Sequence, residues 1–336
     1  MALERRELDQ SFFEERIRAA LAVRQRHLPQ ATSFRVVNSE SDWLSGLIVD
    51  KYEDVLVAQT SALGMDRRKA VMVAALEQIF SPRAIVERND VASRKFEGLP
   101  DSSGVLVGSL QGETIVKLNG LQFATNLLTG HKTGLYLDQQ VNYQRVAEFV
   151  RLMPAAQVLD CFSFVGGFGL HAAARGADHV HLVDQSAEAI ETARCNAQRN
   201  GVAGKCSFET ANVFDWLKAQ TTAGPNEKII PRFDLIILDP PSFTRNRAAV
   251  PDALRGYKEI HLRALKLLKP GGVLATFCCS HHVDMELFQD AILAAAYDAR
   301  RWLRRVASYG QSPDHPVIPA IPETEYLKGF AFEIAR

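Results

Sequence analysis

Apolar positions recur along this chain in two different rhythms, and the change between them divides the sequence. From about Leu8 to His27 they fall at helical spacing, which predicts an amphipathic helix. Short apolar runs follow at Phe34 to Val37, Leu47 to Val49 and Asp54 to Thr60, with Asn38 to Asp42 as a polar turn after the first. Asp66 to Phe80 returns to helical spacing, while Ala84 to Glu87, Gly104 to Val107 and Thr114 to Leu118 predict further strands. Hairpins mixed with helices predict a small α+β domain, taken over residues 1–120.

From about Val146 the pattern becomes a strict alternation of strand and helix. Gln157 to Asp160, His179 to Val183, Cys206 to Glu209, Leu235 to Leu238 and Val273 to Phe277 predict strands. Gly167 to Ala174 opens a helix, and Ala187 to Asn200 is a helix stopped by Gly201. Repeated βα units predict a parallel sheet with helices on both faces. Trp302 to Ala307 and Phe330 to Ile334 predict a terminal hairpin-like pair completing that sheet. The expected fold class is therefore α/β: a Rossmann-like domain over 121–336, mostly parallel and seven-stranded, after a smaller α+β domain. The boundary is expected between Leu118 and Arg145, and no internal repeat interrupts either part.

Composition narrows the partners. The 336 residues carry 39 Lys+Arg and 39 Asp+Glu, so any contact with nucleic acid must come from a local basic face. Arg300, Arg301, Arg304 and Arg305 form one such cluster, and Arg88, Arg94 and Lys95 are eligible in the first domain. The charged opening, Met1 to Glu7, lacks the apolar core of a signal peptide, and no apolar run approaches the ~20 residues of a membrane span. The five cysteines form no CxxC pair and no spaced His/Cys cluster, so no metal site is expected, and free thiols fit a reducing cytoplasm. A cytoplasmic protein without membrane contact is the expectation.

Candidate chemistry gathers at strand ends. Val158 to Gly169 reads as strand, glycine-containing loop and helix start, and its glycines let the backbone approach a ligand. The spacing departs from G-x-G-x-x-G, which weakens the alternative of an NAD-binding domain. Asp184 ends the next strand, where an acid can accept hydrogen bonds from both hydroxyls of a ribose. After a third strand come Asn212, whose amide could contact an adenine, and Val213 or Phe214, which could cover its face. A fourth strand ends in Asp239-Pro240-Pro241, and a fifth, introduced by Lys269-Pro270-Gly271-Gly272, ends in Cys278-Cys279-Ser280. Together these parts resemble a class I S-adenosylmethionine-dependent methyltransferase.

A carboxylate and a thiol at neighbouring strand ends suit methylation of a pyrimidine. Carbon 5 of cytosine is too weak a nucleophile on its own; a thiolate adding at carbon 6 makes it enamine-like. Cys279 is the candidate nucleophile and Asp239 the acid that orients the base, with Cys278 the competing thiol. Adjacent strand residues point to opposite faces, so one of the two should face the pocket. A thiol of ordinary pKa needs activation; the sequence does not identify the activator, although His281 and His282 are nearby. Asp239-Pro240-Pro241 is also similar to the motif with which adenine-amino methyltransferases grip an exocyclic amine.

With these residues placed, the chain from about Phe12 onward resembles the bacterial large-subunit ribosomal RNA cytosine-5 methyltransferase family. Gly130 to Gln139 (G-H-K-T-G-L-Y-L-D-Q), Arg255 to Glu259, Asp314 to Val317 and Tyr326 to Phe330 support the likeness. The resemblance implies S-adenosyl-L-methionine as cofactor, large-subunit ribosomal RNA as partner, and the cysteine of T-F-x-C-S, here Cys279, as nucleophile. Cofactor contacts are expected from Tyr136, Ser163, Phe164, Gly166, Gly167, Asp184, Gln185, Asn212, Val213 and Asp239. Substrate contacts are expected from Lys132, Gln139, Pro240, Pro241 and Ser242. Ser242 stands where some RNA cytosine methyltransferases carry a second, product-releasing cysteine, so a one-cysteine mechanism is expected.

Three departures accompany the likeness. Members usually begin with a small RNA-binding PUA domain, and this chain starts too late to hold one. RNA recognition would then fall to the residues up to about Leu118, and a homodimer would cover the surface left open. Asn212 stands where an acid is common, and Gln140 and Asn126 replace an Arg and an Asp around the G-H-K-T-G motif. The alternatives are a purine RNA methyltransferase (guanine-N7 or adenine-amino) and a non-catalytic RNA-binding assembly protein.

Overall fold

Asp9 starts the first helix, α1 (Gln10–His27): its carboxylate accepts the Phe12 amide at 2.9 Å, satisfying a donor that the helix leaves orphaned. The computed structural model describes residues 6–130, 133–222, 228–244 and 246–335. α1 turns Phe12, Phe13 and Ile17 onto a sheet that begins with a meander, β1 (Phe34–Asn38), β2 (Leu47–Tyr52) and β3 (Val55–Thr60). A crossover through α2 (Leu63–Asp66) and α3 (Lys69–Phe80) leads to β4 (Ala84–Asn89), parallel to β3, and β5 (Ser102–Gly108) closes the order β1-β2-β3-β4-β5. The helix expected over Asp66 to Phe80 is thus two helices, because the Asp66 carboxylate is tied to Thr60 Oγ1 (2.8 Å) and Arg94 Nη1 (3.0 Å).

β6 (Thr114–Leu118) and β7 (Leu121–Thr125) form a separate hairpin. Its two-residue turn, Asn119-Gly120, has φ of 54° and 88°, the left-handed pair that matches the twist of flanking strands. The Lys117 amide donates to Glu53 (2.9 Å), Asn119 Nδ2 to the Gln140 carbonyl (2.6 Å), and Tyr52 OH and Thr133 Oγ1 are bonded at 3.0 Å. Such ties keep the segment up to Gln140 with the first unit. Backbone contacts divide the chain into Met1–Gln140 with Ser312–Thr324, and Val141–Gln311 with Glu325–Arg336. The return of Ser312–Thr324 has a clear cause. Asp314 accepts the Arg35 amide (2.8 Å) and Gln140 Nε2 (3.1 Å), and its carbonyl accepts Arg24 Nη2 (2.8 Å). Arg24 in turn forms a buried two-pronged pair with Asp42 at 2.5 and 2.7 Å. Removing one partner of such a pair costs roughly 3–5 kcal/mol.

The second unit is the α/β domain. After α4 (Gln140–Ala147) come β8 (Gln157–Cys161), α5 (Gly167–Ala174), β9 (His179–Asp184), α6 (Ala187–Arg199), β10 (Cys206–Thr210) and α7 (Val213–Thr221). Then follow β11 (Phe233–Leu238), α8 (Val250–Leu267), β12 (Leu268–Cys278), α9 (Met285–Asp298), β13 (Leu303–Gly310) and β14 (Lys328–Ile334). The seven strands lie in the order β10-β9-β8-β11-β12-β14-β13, all parallel except β14. β11 and β12 are covered on both faces: Ile236, Ile237, Leu238, Leu274, Ala275 and Phe277 are fully buried, which is why they read as unbroken apolar runs. β12 starts earlier than expected, because the turn Lys269 to Gly272 is absorbed as a bulge between the pairs Phe233–Leu268 and Leu235–Val273.

Candidate active site

The strand order itself marks a site. From β8 the chain winds outward to β10, then returns to β11 on the other side. A crevice therefore opens at the carboxyl ends of β8 and β11, the topological switch point where open α/β sheets bind ligands. β8 delivers Phe162, Ser163, Phe164 and Gly166 there, and β11 delivers Asp239.

The loop after β8 is tightly wound. Phe162 and Phe164 hold positive φ of 62° and 48°, and Gly166 of 92°. A bulky residue in that region is strained and needs fixing by its surroundings. The fixing is visible: Ser163 N donates to the Val183 carbonyl (3.1 Å), Gly166 N to the Ser163 carbonyl (2.8 Å), and Phe164 N to Asp184 Oδ2 (2.9 Å). Asp184 Oδ1 takes the Ser186 amide (2.9 Å). Each carboxylate oxygen keeps a second lone pair, so Asp184 is locked in orientation while still able to accept from hydroxyls. Gly167 is required for packing, since a Cβ there would come within 2.6 Å of the Tyr143 ring.

Beneath the loop lies Asp160, a residue that sequence reasoning did not single out. Its Oδ2 accepts the Gly169 amide at 2.7 Å, while Oδ1 is buried with no hydrogen-bond partner among the described residues. Burial pushes its pKa from 3.8 up to about 8; the Gly169 bond opposes this, and the charges of Asp239 and Asp184 add to it. Ser163 Oγ is likewise buried and without a partner among the described residues. The available signal was an acid inside the otherwise apolar run Val158-Leu159-Asp160-Cys161.

Asn212 and Val213 sit beyond β10. Asn212 Oδ1 caps α7, accepting the Phe214 and Asp215 amides at 3.0 and 3.3 Å, so the oxygen expected at an adenine already has a structural task. Val213 is buried, and Gln185 is exposed. Phe162, Phe214, Phe243 and Tyr257 form a row of rings with successive centroid separations of 6.3, 5.5 and 4.7 Å.

On the other side of Asp239 the two cysteines part company. Cys278 is fully buried in the core; Cys279 is partly exposed, and its thiol lies 3.9 Å from the Pro240 carbonyl oxygen. The following residue, Ser280, is a hub: its hydroxyl meets Tyr257 OH and Ser242 Oγ, each at 3.0 Å. Ser242 Oγ also donates to the Thr244 carbonyl (2.9 Å), which braces the loop after the prolines. Burial, with the neighbouring Cys278, pushes the Tyr257 hydroxyl far above its ordinary pKa, so it stays neutral.

Residues 41–321 match the S-adenosylmethionine-dependent methyltransferases. The chain belongs to this family. A Vibrio cholerae protein named ribosomal RNA large subunit methyltransferase I is 39% identical over 339 residues, covering 99% of this chain and 83% of its own. A solved Streptococcus mutans structure described as a SAM-dependent methyltransferase aligns with a TM-score of 0.81 at 20% identity, over 98% of this chain and 83% of its own. A methyltransferase solved in complex with SAH aligns equally well, with a TM-score of 0.81 at 21% identity and the same coverage of each chain. These two share the α/β methyltransferase fold.

S-adenosylmethionine is this methyltransferase's methyl donor, and the crevice fits it. Two buried polar atoms, Asp160 Oδ1 and Ser163 Oγ, await partners, and Asp184 offers hydroxyl acceptors beside them. Three carboxylates around the loop also suit a ligand with positive charge.

Tyr136 and buried Gln139 belong to the first unit, where Thr133 of the same motif donates to Asp50 at 2.6 Å; Lys132 lies outside the described residues. Asn126 does what an Asp would, its Oδ1 accepting the Leu128 and Thr129 amides at 3.0 and 3.2 Å, and Gln140 bonds Asp314. Arg88 and Arg94, read as eligible for phosphate, are buried instead: Arg88 donates to the Leu127 and Gly130 carbonyls, Arg94 to those of Thr60 and Pro100. Arg304, the second residue of β13, pairs with Glu333 at the far end of β14, so the Arg300 to Arg305 cluster lies at the amino end of the parallel strands, away from Cys279. His281 and His282 are exposed, with His281 beside the Tyr326 ring at 5.7 Å. Among the described residues no group of three His, Cys, Asp or Glu could hold a metal, and no helix is long and apolar enough to cross a membrane.

Proposed function

We propose that this methyltransferase forms 5-methylcytosine in large-subunit ribosomal RNA, with Cys279 as nucleophile. One observation carries the chemistry: of two adjacent thiols, the partly exposed one lies against the Asp-Pro-Pro loop at the crevice, while its neighbour is sealed in the core. The RNA class rests on the names of relatives such as the Vibrio cholerae and Vibrio vulnificus proteins, 39% and 37% identical. Ribosomal RNA as substrate would put the reaction in the cytoplasm, and the first unit is the proposed RNA-recognising part.

In this reading Asp184, Ser163 and Asp160 hold the cofactor, Gly166 and Gly167 let it approach the backbone, and Val213 with the Asn212 amide flanks its base. When bound, S-adenosylmethionine supplies an electrophilic methyl group. Pro240 and Pro241 stiffen the chain that presents Asp239 to a flipped-out cytosine. Cys279 Sγ adds to carbon 6 while Asp239 holds a proton at ring N3, which leaves carbon 5 nucleophilic. After transfer the carbon-5 proton passes to solvent, Sγ leaves carbon 6 as the thiolate, and the N3 proton returns to Asp239. The test is nucleoside mass spectrometry on large-subunit RNA incubated with enzyme and cofactor: 5-methylcytidine is expected, and a methylated purine in its place would overturn the proposal.

A further inference from the structure

Lys328 is a buried cation that forms no ion pair with a carboxylate among the described residues. It opens β14, pairs in register with Cys278 on β12, and is 7% exposed. Its Nζ donates to two neutral acceptors, the Ser280 carbonyl at 2.8 Å and the Val283 carbonyl at 2.6 Å. No Asp or Glu forms an ion pair with it among the described residues. An ammonium held this way is costly unless something nearby supplies negative charge. Burial lowers its pKa, and the groups that act against burial are Cys278 and Cys279 first, then Asp284 and Glu325.

Other groups also surround these thiols. Tyr257 of α8 is neutral, His281 and His282 are exposed in the turn, and the Asp284 carboxylate caps α9 by accepting the Leu287 amide at 2.8 Å. Glu325 precedes β14, and Asp239 stands on the β11 side. Of the two thiols, Cys278 is sealed in the core and Cys279 is not.

We propose that Lys328 is a positioning residue and counter-charge for Cys279: through the Ser280 and Val283 carbonyls it fixes the turn that aims the thiol, and its ammonium favours the ionised sulfur. This rests on the proposed role of Cys279 but makes a separate claim about the thiol itself.

The test is alkylation of the whole protein by iodoacetamide across a pH series, read by mass spectrometry of the Cys279 peptide. Exposed Cys195 in the same molecule serves as reference. In the wild type the Cys279 midpoint should lie below that of Cys195. Lys328→Met should raise it by about one unit, slowing alkylation near neutrality about tenfold, with Cys195 unchanged. Lys328→Arg should stay within about twofold of wild type, since the charge is kept. A wild-type Cys279 midpoint at or above that of Cys195 overturns the proposal even if Lys328→Met does not fold. An unshifted midpoint in folded Lys328→Met overturns it too. The two proposals fail separately: a purine product with a low Cys279 midpoint removes the cytosine reaction alone, and 5-methylcytidine with an unshifted Lys328→Met midpoint removes the lysine role alone.

Discussion

The Cys279 thiol and the Pro240 carbonyl oxygen stand 3.9 Å apart, across the exits of two adjacent parallel strands. The register Leu238–Thr276 accounts for this: two more steps along each chain bring Pro240 level with Cys278, beside the adjacent cysteines. The pleat then separates Cys278 from Cys279, one into the core and one toward the loop.

Replacing the two cysteines should therefore have different consequences. Cys279→Ala should lower methyl transfer by about a thousandfold or more while cofactor affinity, read by calorimetry, stays within about twofold. Cys278→Ala should cost about 1 kcal/mol of stability in a denaturant titration and keep most of the activity. Equal loss of activity in both variants would contradict the assignment.

Asp160 should make the protein respond to pH. Its pKa rises from 3.8 to about 8 on folding, so the folded state takes up a proton and this residue's contribution to stability falls as pH rises across that window. Above about 8 the contribution levels off, because the group is ionised in both states. Asp160→Asn should remove that slope from thermal midpoints measured at several pH values. In the wild type near pH 7, binding the cationic cofactor should release a proton, read as a calorimetric heat that changes with the buffer's own ionisation enthalpy.

His261 should act at lower pH and with the opposite slope. It is fully buried, with Nδ1 2.6 Å from the Tyr257 carbonyl and Nε2 2.8 Å from Thr276 Oγ1. Burial lowers its pKa from 6.5 to about 4, so the unfolded state binds the proton first as the medium is acidified. Stability should be full above about 6.5 and drop between there and 4. A His261→Gln variant, less stable at neutral pH, should show a shallower acid decline; an unchanged acid profile would count against this role.

Gly167 should be intolerant of even a methyl group. A Cβ would press on Tyr143 at 2.6 Å in a loop whose neighbours already hold positive φ. Gly167→Ala should weaken cofactor binding by about tenfold, and adding Tyr143→Ala should recover part of that loss. No recovery in the double variant would mean that the ring contact is not the cause.

Much of the fold was legible because parallel strands buried on both faces write themselves as apolar runs, as in Leu235 to Leu238. The helices that went unread carry mixed signals. α8 carries Pro251 in its first turn, a residue that breaks a helix in its interior but is welcome there, and it contains Gly256 and buried His261. The proposed site draws on residues that the sequence places at strand ends, Asp184, Asp239 and Cys279. Asp160 stayed hidden because a lone acid in a strand gives no sign that one of its oxygens will be left unpaired. Lys328 stayed hidden for a different reason. Its meaning depends on pairing with a strand that ends fifty residues earlier, and local periodicity carries no such information.

The most direct measurement is covalent capture. Large-subunit RNA made with 5-fluorocytidine would be incubated with the enzyme and S-adenosylmethionine, denatured, and the protein mapped by mass spectrometry. A fluorine at carbon 5 cannot leave as the proton does, so a bond between the base and Cys279 should survive. An RNA adduct on that cysteine peptide, absent in Cys279→Ala, is the expected result. Active enzyme that leaves no adduct, or carries it on another residue, would contradict the account.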